Sequence, residues 1–366
     1  MSDPQAWVTP GVSTPGVTSG ARLPEGPPQP PPPVLDRSEL LGGDIPLRPL
    51  GSSEILDGAI TTIRRNPRAV LGLSLMITVV VQVLITIGAY YFIGDRAGDE
   101  VTPTPVLRTL GAQFTLSVVG LMLSAFGVLL LAGLLAPVIG RTMLGLPASL
   151  RQTWHDTRPQ LPRLAGASLT VMAISLLAVG LPLAPFVLFA ATDAPPVLGV
   201  LSGVVGAPLG LALMLWLYVL FVLAAPAVVM ERLGVLAALR RAHQLVRRRW
   251  WRASGTLMIT LVIAVFMGFL ALRVPFLIVQ YSVFGEDPTG TALVLSLAVD
   301  TFGRIVSWAL IIPFDAGVIT LLYIDQRMRR EGFDLELQTR PRTADDFLEL
   351  WRPSPLVPRP GAGRAE

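Results

Sequence analysis

The chain has 366 residues, of which 52% are apolar and only 15% charged, against about 25% charged in soluble globular proteins, so a water-soluble enzyme is excluded first. Cysteine is absent, which removes disulfides, thiolate nucleophiles, iron–sulfur ligation and cysteine-bound zinc together. All 29 basic residues are arginine and the net charge is +4; the basicity therefore comes from guanidinium groups that never deprotonate.

Residues 1–43 are rich in Pro, Gly and Ser and end in a run from Pro27 to Pro33 broken only by Gln29. Such a segment buries too little apolar surface to offset its ordering entropy, so a disordered tail with a polyproline II stretch is expected. No apolar core of a signal peptide occurs in it. Six apolar spans follow, near Ala69–Ile93, Gln113–Ile139, Leu164–Ala191, Val197–Met230, Gly255–Leu272 or a little beyond, and Thr291–Ile324. Backbone groups in hydrocarbon must be satisfied within their own segment, so the spans are expected to be helices. Pro182, Pro185, Pro208, Pro226, Pro275 and Pro313 are expected to kink or end four of them. The expected organisation is tail 1–43, a six-helix domain over 44–337, and a largely disordered tail over 338–366.

Arginine placement sets the expected orientation. Between residues 48 and 342, twenty arginines lie before the first span and after spans two, four and six, whereas the alternate loops hold Arg96 and Arg108 beside Asp95, Asp99, Glu100, Asp193, Glu286 and Asp287. The positive-inside rule then puts both termini in the cytoplasm of a multi-pass plasma-membrane protein.

The three basic lead-in segments share a spacing. Leu50, Gly51, Leu56, Arg64 and Gly72 recur without gaps as Leu144, Gly145, Leu150, Arg158 and Gly166, and as Leu233, Gly234, Leu239, Arg247 and Gly255. The pattern predicts one amphipathic interfacial helix plus one transmembrane hairpin, used three times in parallel. In the third copy Leu236, Leu239, His243, Val246 and Trp250 form the expected apolar stripe; Arg240, Arg241, Arg247 and Arg248 take the other side. In the first, Ile55, Leu56, Ala59, Ile60 and Ile63 form the stripe, with Ser52 or Ser53 as cap and Asn66–Pro67 closing the helix. An arginine facing an anionic leaflet contributes about 1 kcal/mol. Contact with anionic lipid is therefore expected from Arg240, Arg241, Arg247, Arg248, Trp250 and Trp251. Within the fourth span Gly199, Gly203, Gly206 and Gly210 form two small-xxx-small pairs suited to packing inside the bundle.

Ionisable residues inside spans default to functional hypotheses. Arg273, Asp300, Arg304 and Asp315 are the candidates. If the fifth span runs to about Tyr281 and the sixth begins near Thr291, Arg273, Asp300 and Arg304 cluster, as an anion-recognising cavity or as a structural ion pair. If instead the fifth ends at Leu272 and the sixth begins near Ile305, they are interfacial. No GxSxG elbow, P-loop or HExxH helix is present. His155 and His243 lack the partner spacing that metal or triad chemistry needs. No catalytic residue, metal or cofactor is expected.

Three stretches carry a family resemblance. They are Ile45–Leu50 leading through Glu54, Ile55, Leu56 and Asp57 to Arg65–Asn66–Pro67; Glu231–Arg232–Leu233–Gly234 with Ala238–Leu239–Arg240; and Leu322 through Asp334. Together they resemble bacterial, mainly actinobacterial, membrane proteins with a glycerophosphoryl diester phosphodiesterase membrane domain, over about residues 45–337. The hydrolase in that family name is a separate barrel domain, a fold of about 250 residues, for which the tails are too short; the resemblance carries over no catalytic residue. It implies a membrane domain that occurs alone or beside lipid-related enzymes.

The expected protein is therefore all-α, polytopic and non-enzymatic, organising membrane lipid or a protein partner at the anionic inner leaflet, with no nucleic-acid role. The alternatives are a carrier or channel for a lipid-like or anionic solute, and an accessory subunit of a lipid enzyme.

Overall fold

The computed structural model describes residues 45–46, 48–94, 105–146, 148–192, 195–285, 289–333 and 351. The tail over 1–43 lies outside them, as does the tail over 338–366 apart from Trp351. Among the described residues the α-helices are, in chain order, α1 Ser52–Arg65, α2 Pro67–Gly94, α3 Pro105–Met143, α4 Leu150–Thr157, α5 Leu161–Ala191, α6 Pro196–Phe221, α7 Ala224–Met230, α8 Val235–Val246, α9 Trp250–Ala264, α10 Val274–Phe284 and α11 Gly290–Glu331. A wide-turn π segment, Val265–Arg273, joins α9 to α10 without a break. Six helical runs are long and apolar enough to cross a membrane; the chain is an all-α multi-pass membrane protein.

The exposed side chains show where the bilayer sits. Large exposed apolar residues run from Leu169 to Leu188 on α5 and from Val197 to Trp216 on α6, about 29 Å on each helix at 1.5 Å per residue, which matches about 30 Å of hydrocarbon. The same belt covers Met258–Val283 on α9 and α10 and Val294–Leu310 on α11. Outside it, at the end that carries most of the arginines, every residue of α7 is buried, and α11 is almost continuously buried from Ile311 to Met328. Here α11 threads between α1, α3 and α7: a Cβ on Gly317 would meet Ala59, and the Thr320 hydroxyl donates to the Ala132 carbonyl at 3.0 Å. The molecule thus has a lipid-facing layer and a packed basic layer.

Prolines interrupt less than their ring chemistry predicts. The helices continue through Pro182 and Pro185 in α5, Pro208 in α6 and Pro313 in α11. The fourth span does break, but at Val222–Leu223, ahead of Pro226. The sixth is one helix of 42 residues, about 63 Å long, and its half beyond Leu310 lies in the basic layer. The glycines of α6 face α5. A Cβ on Gly206 would lie 2.3 Å from the Pro182 carbonyl oxygen and one on Gly210 would lie 3.0 Å from that of Val179. Their small size lets two backbones meet, which assigns the stripe to packing within the bundle.

The short helices α1, α4 and α8 each precede a pair of spanning runs, but they start differently. Gly51 and Gly234 cap α1 and α8 with the same backbone, φ −73° and ψ 164°. Gly145 instead turns at φ 69°, and α4 begins only after Ser149, whose hydroxyl accepts from the Gln152 N–H at 3.2 Å. Leu146 precedes Pro147, which disfavours helix there. On α1 the cap is Gly51, where a serine was expected: its N–H donates to Glu54 Oε2 at 2.7 Å, so the carboxylate three residues on supplies the partner. This bond and Arg48 hold the Glu54 carboxyl below its usual range.

Candidate functional site: two charge clusters and a basic face

The π segment carries the fifth helix past Leu272, and α11 begins at Gly290, so the two helices do not end and begin at Leu272 and Ile305, where the interfacial alternative put them. Arg273, Asp300 and Arg304 do come together, inside the apolar belt. Arg273 is ion-paired with Asp300, and Arg304 Nη1 lies 2.8 Å from the second Asp300 oxygen. Gly303 makes room for this, since a Cβ there would lie 3.0 Å from Arg273 Nη1 and 2.7 Å from the Phe276 ring. Arg304 Nη2 also donates to the Thr86 hydroxyl at 2.9 Å, and that hydroxyl is 2.8 Å from Thr301 Oγ1. Asp315 takes no part. It lies eleven residues beyond Arg304, about 17 Å along the helix, with Oδ1 buried and without a hydrogen-bond partner among the described residues.

The cluster continues a polar seam that span-by-span reading overlooked. Ser74, Thr78, Gln82 and Thr86 recur every four residues, one face of α2, and that face is buried against α11. The Ser74 hydroxyl donates to the Ala309 carbonyl at 2.8 Å. The four-residue interval was the available signal, masked by the strong apolar average around it. A groove of about 650 Å³ opens between α2 and α11, lined by Thr86, Thr301 and apolar residues including Ile87, Leu297 and Phe302.

A second cluster lies in the basic layer. Glu231, 1% exposed at its side chain, accepts from Arg241 Nε through both oxygens at 2.9 and 3.0 Å and from the Tyr323 hydroxyl at 2.5 Å. Arg327, equally buried, is 3.7 Å from Glu231 and 3.1 Å from Glu331. Its guanidinium stacks 4.1 Å above the Phe333 ring and donates to the Trp351 carbonyl at 2.8 Å. Trp351, the one described residue of the segment over 338–366, is fully buried, its ring 5.0 Å from that of Phe333.

Beside this network a clamp holds the peptide of Leu50. Asp325, with no exposed side-chain surface, accepts from the Leu50 N–H at 2.9 Å and from Arg329 Nε at 2.7 Å, and its other oxygen lies 3.5 Å from Arg252 Nε. Arg252 and Arg329 also donate to the Leu50 carbonyl at 2.6 and 2.7 Å. Twenty-one residues separate Arg252 from Arg273, and twenty-five separate their partners Asp325 and Asp300, the latter about 37 Å of straight α-helix. The fifth and sixth spans are thus tied by ion pairs at two levels about one hydrocarbon thickness apart.

The predicted lipid-contact residues divide. On α8 the buried stripe is Ala238, Leu239, Ala242, Leu245 and Val246, rotated about one position from the stripe expected, because two alanines allow the closest approach. Arg241 accordingly points inward to Glu231 and Glu331 and is withdrawn from the lipid-contact set. Leu236, on the apolar stripe expected, is 67% exposed. Arg240, Arg247 and Arg248 are exposed, as is Arg249, and none forms an ion pair among the described residues. Trp251 is 82% exposed; Trp250 packs edge-on against it at 4.9 Å, with its indole N–H 3.4 Å from the Trp216 carbonyl.

The intramembrane triad yields a test. Removing one partner of a buried ion pair costs about 3–5 kcal/mol, whereas exchanging the whole set for apolar residues is often neutral or stabilising. Asp300→Leu alone should therefore lower detergent thermostability sharply, and the triple variant Arg273→Leu, Asp300→Leu, Arg304→Leu should recover most of it. Comparison of the chain with family models, curated proteins and solved structures gives no match in any of the three.

Proposed function

We propose that this is a non-enzymatic membrane protein whose basic face rests on an anionic leaflet, the inner one of a bacterial plasma membrane by the positive-inside rule, and organises lipid or a protein partner there. The observation that carries the proposal is the contrast between two sets of arginines. Those inside the belt are matched to Asp300, while Arg240, Arg247, Arg248 and Arg249 stand exposed, with no carboxylate partner among the described residues, beside Trp251 and Leu236 at the edge of the belt. Unpaired guanidinium groups beside exposed apolar side chains are what a headgroup layer would satisfy. The mutual pairing of Arg273, Asp300 and Arg304 weighs against a carrier for an anionic solute, which would need those groups free in a cavity.

The three stretches behind the family resemblance support a structural role. They hold Leu50, Glu231, Tyr323, Asp325 and Arg327, which belong to the clamp and the buried network. We therefore read the shared residues as architecture that positions three basic lead-ins, each with its hairpin, as a threefold repeat. The matching caps at Gly51 and Gly234 favour this; the late start of α4 makes the middle unit the divergent one.

The proposal is tested by lipid retention. Purified from mixed bilayers, the full chain is expected to keep phosphatidylglycerol in preference to phosphatidylcholine, and the variant Arg247→Gln, Arg248→Gln, Arg249→Gln should lose most of that preference while remaining folded. Equal retention of the two lipids by the unaltered protein would overturn it.

A further inference from the structure

Where α8 meets the lipid-facing layer, a groove of about 300 Å³ opens sideways between α5, α6 and α8, at the lower end of ligand-sized pockets. Ile174, Phe221, Leu236 and Leu239 form its walls, and Arg240, His243 and Gln244 line the same groove from the polar side of α8. Its apolar and basic parts are ordered along the bilayer normal. Ile174 falls inside the belt that runs from Leu169 to Leu188 on α5, and Phe221 lies five residues past Trp216, where the belt ends on α6. Arg240 is on α8, in the basic layer. His243 is held against Phe221 with ring centroids 6.3 Å apart and planes 30° from parallel, which closes one side.

We infer that this groove binds one acyl chain of an anionic phospholipid from the adjoining leaflet, with Arg240 meeting the phosphate. Three features select that occupant. The groove is open to the hydrocarbon, so its ligand arrives from the bilayer. Its walls offer apolar contact and little else, which suits a hydrocarbon chain. Arg240 has no ion pair among the described residues, and Arg247 and Arg248 add positive charge about two turns further on, so an anionic headgroup completes the site. A protein helix laid in the same groove would have to cover this charge with carboxylates; a phospholipid supplies a chain and an anion in the required order. Arg241, turned inward to Glu231, fixes the rotation of α8 that presents Leu236 and Arg240 to the groove.

The inference rests on the lipid-facing reading of the basic face and narrows it to one site, so the test separates the two. The full chain is reconstituted in nanodiscs with phosphatidylglycerol or phosphatidylcholine bearing a mid-chain diazirine, irradiated, and the labelled peptides are mapped. Phosphatidylglycerol is expected to label the segments around Ile174 and Leu236 several-fold more than phosphatidylcholine does. Ile174→Trp, which fills the groove, and Arg240→Gln, which removes the phosphate partner, should each abolish that difference. If phosphatidylglycerol is retained preferentially but labels these segments no more than phosphatidylcholine does, the groove assignment is overturned and the broader reading stands. If neither preferential retention nor preferential labelling is seen, both fall. Mapping on the unaltered protein keeps the test decisive even if the tryptophan variant does not fold.

Discussion

Glu231→Ala is expected to be among the most damaging single substitutions in this chain. The side chain sits between Arg241, Arg327 and Tyr323 with almost no exposed surface, so its removal leaves two guanidinium groups sharing Glu331 and a phenol without its acceptor. Stranding buried charge in this way costs about 3–5 kcal/mol, a large share of the stability of any domain. The expected result is a strong loss of monodisperse protein and a clear fall in the thermal midpoint in detergent. Tyr323→Phe deletes one donor to the same carboxylate and should cost about 1.5–3 kcal/mol. A tyrosine variant as damaging as the glutamate variant would show that the ionic part of the network contributes little.

The second large effect is expected at Asp325. This carboxylate ties α11 to Arg252 at the head of the fifth span and to the Leu50 peptide that leads into α1. Alanine there unpairs two arginines and strands the Leu50 N–H, again about 3–5 kcal/mol. Asparagine should be milder, because its carbonyl oxygen still accepts from Leu50 although the charge is gone. The readout is limited proteolysis of the detergent-solubilised chain: cleavage between residues 45 and 65 should rise steeply in Asp325→Ala and moderately in Asp325→Asn. Equal resistance in all three proteins would mean that the clamp does not hold this segment.

These residues also show what a single sequence can and cannot disclose. The spans were legible because hydrocarbon demands long apolar runs, a property of composition that survives any detail of packing. The Arg273, Asp300 and Arg304 cluster was legible as one of several arrangements, since charge is rare in a span; choosing among them needed the length of the fifth helix, which the π segment determines. Glu231 and Arg327 were not legible as partners. They are ninety-six residues apart, each in a flank already full of charge, and only the passage of α11 through the basic layer joins them. Arg241 was misplaced for a related reason: an amphipathic pattern fixes the apolar side of a helix to within about one residue, and the close approach allowed by Ala238 and Ala242 decided the rest. The seam of Ser74, Thr78, Gln82 and Thr86 was readable in principle from its four-residue period.

The central claim is that the belt spans a bilayer with the basic layer on the inner side. Since the chain has no cysteine, single thiols report on this without background. Thr289→Cys, at the exposed residue before α11, should react with an impermeant maleimide in intact cells, and Ser53→Cys, exposed on α1, should react only after the membrane is permeabilised. The reverse pattern would place the arginines on the outer surface and contradict the account.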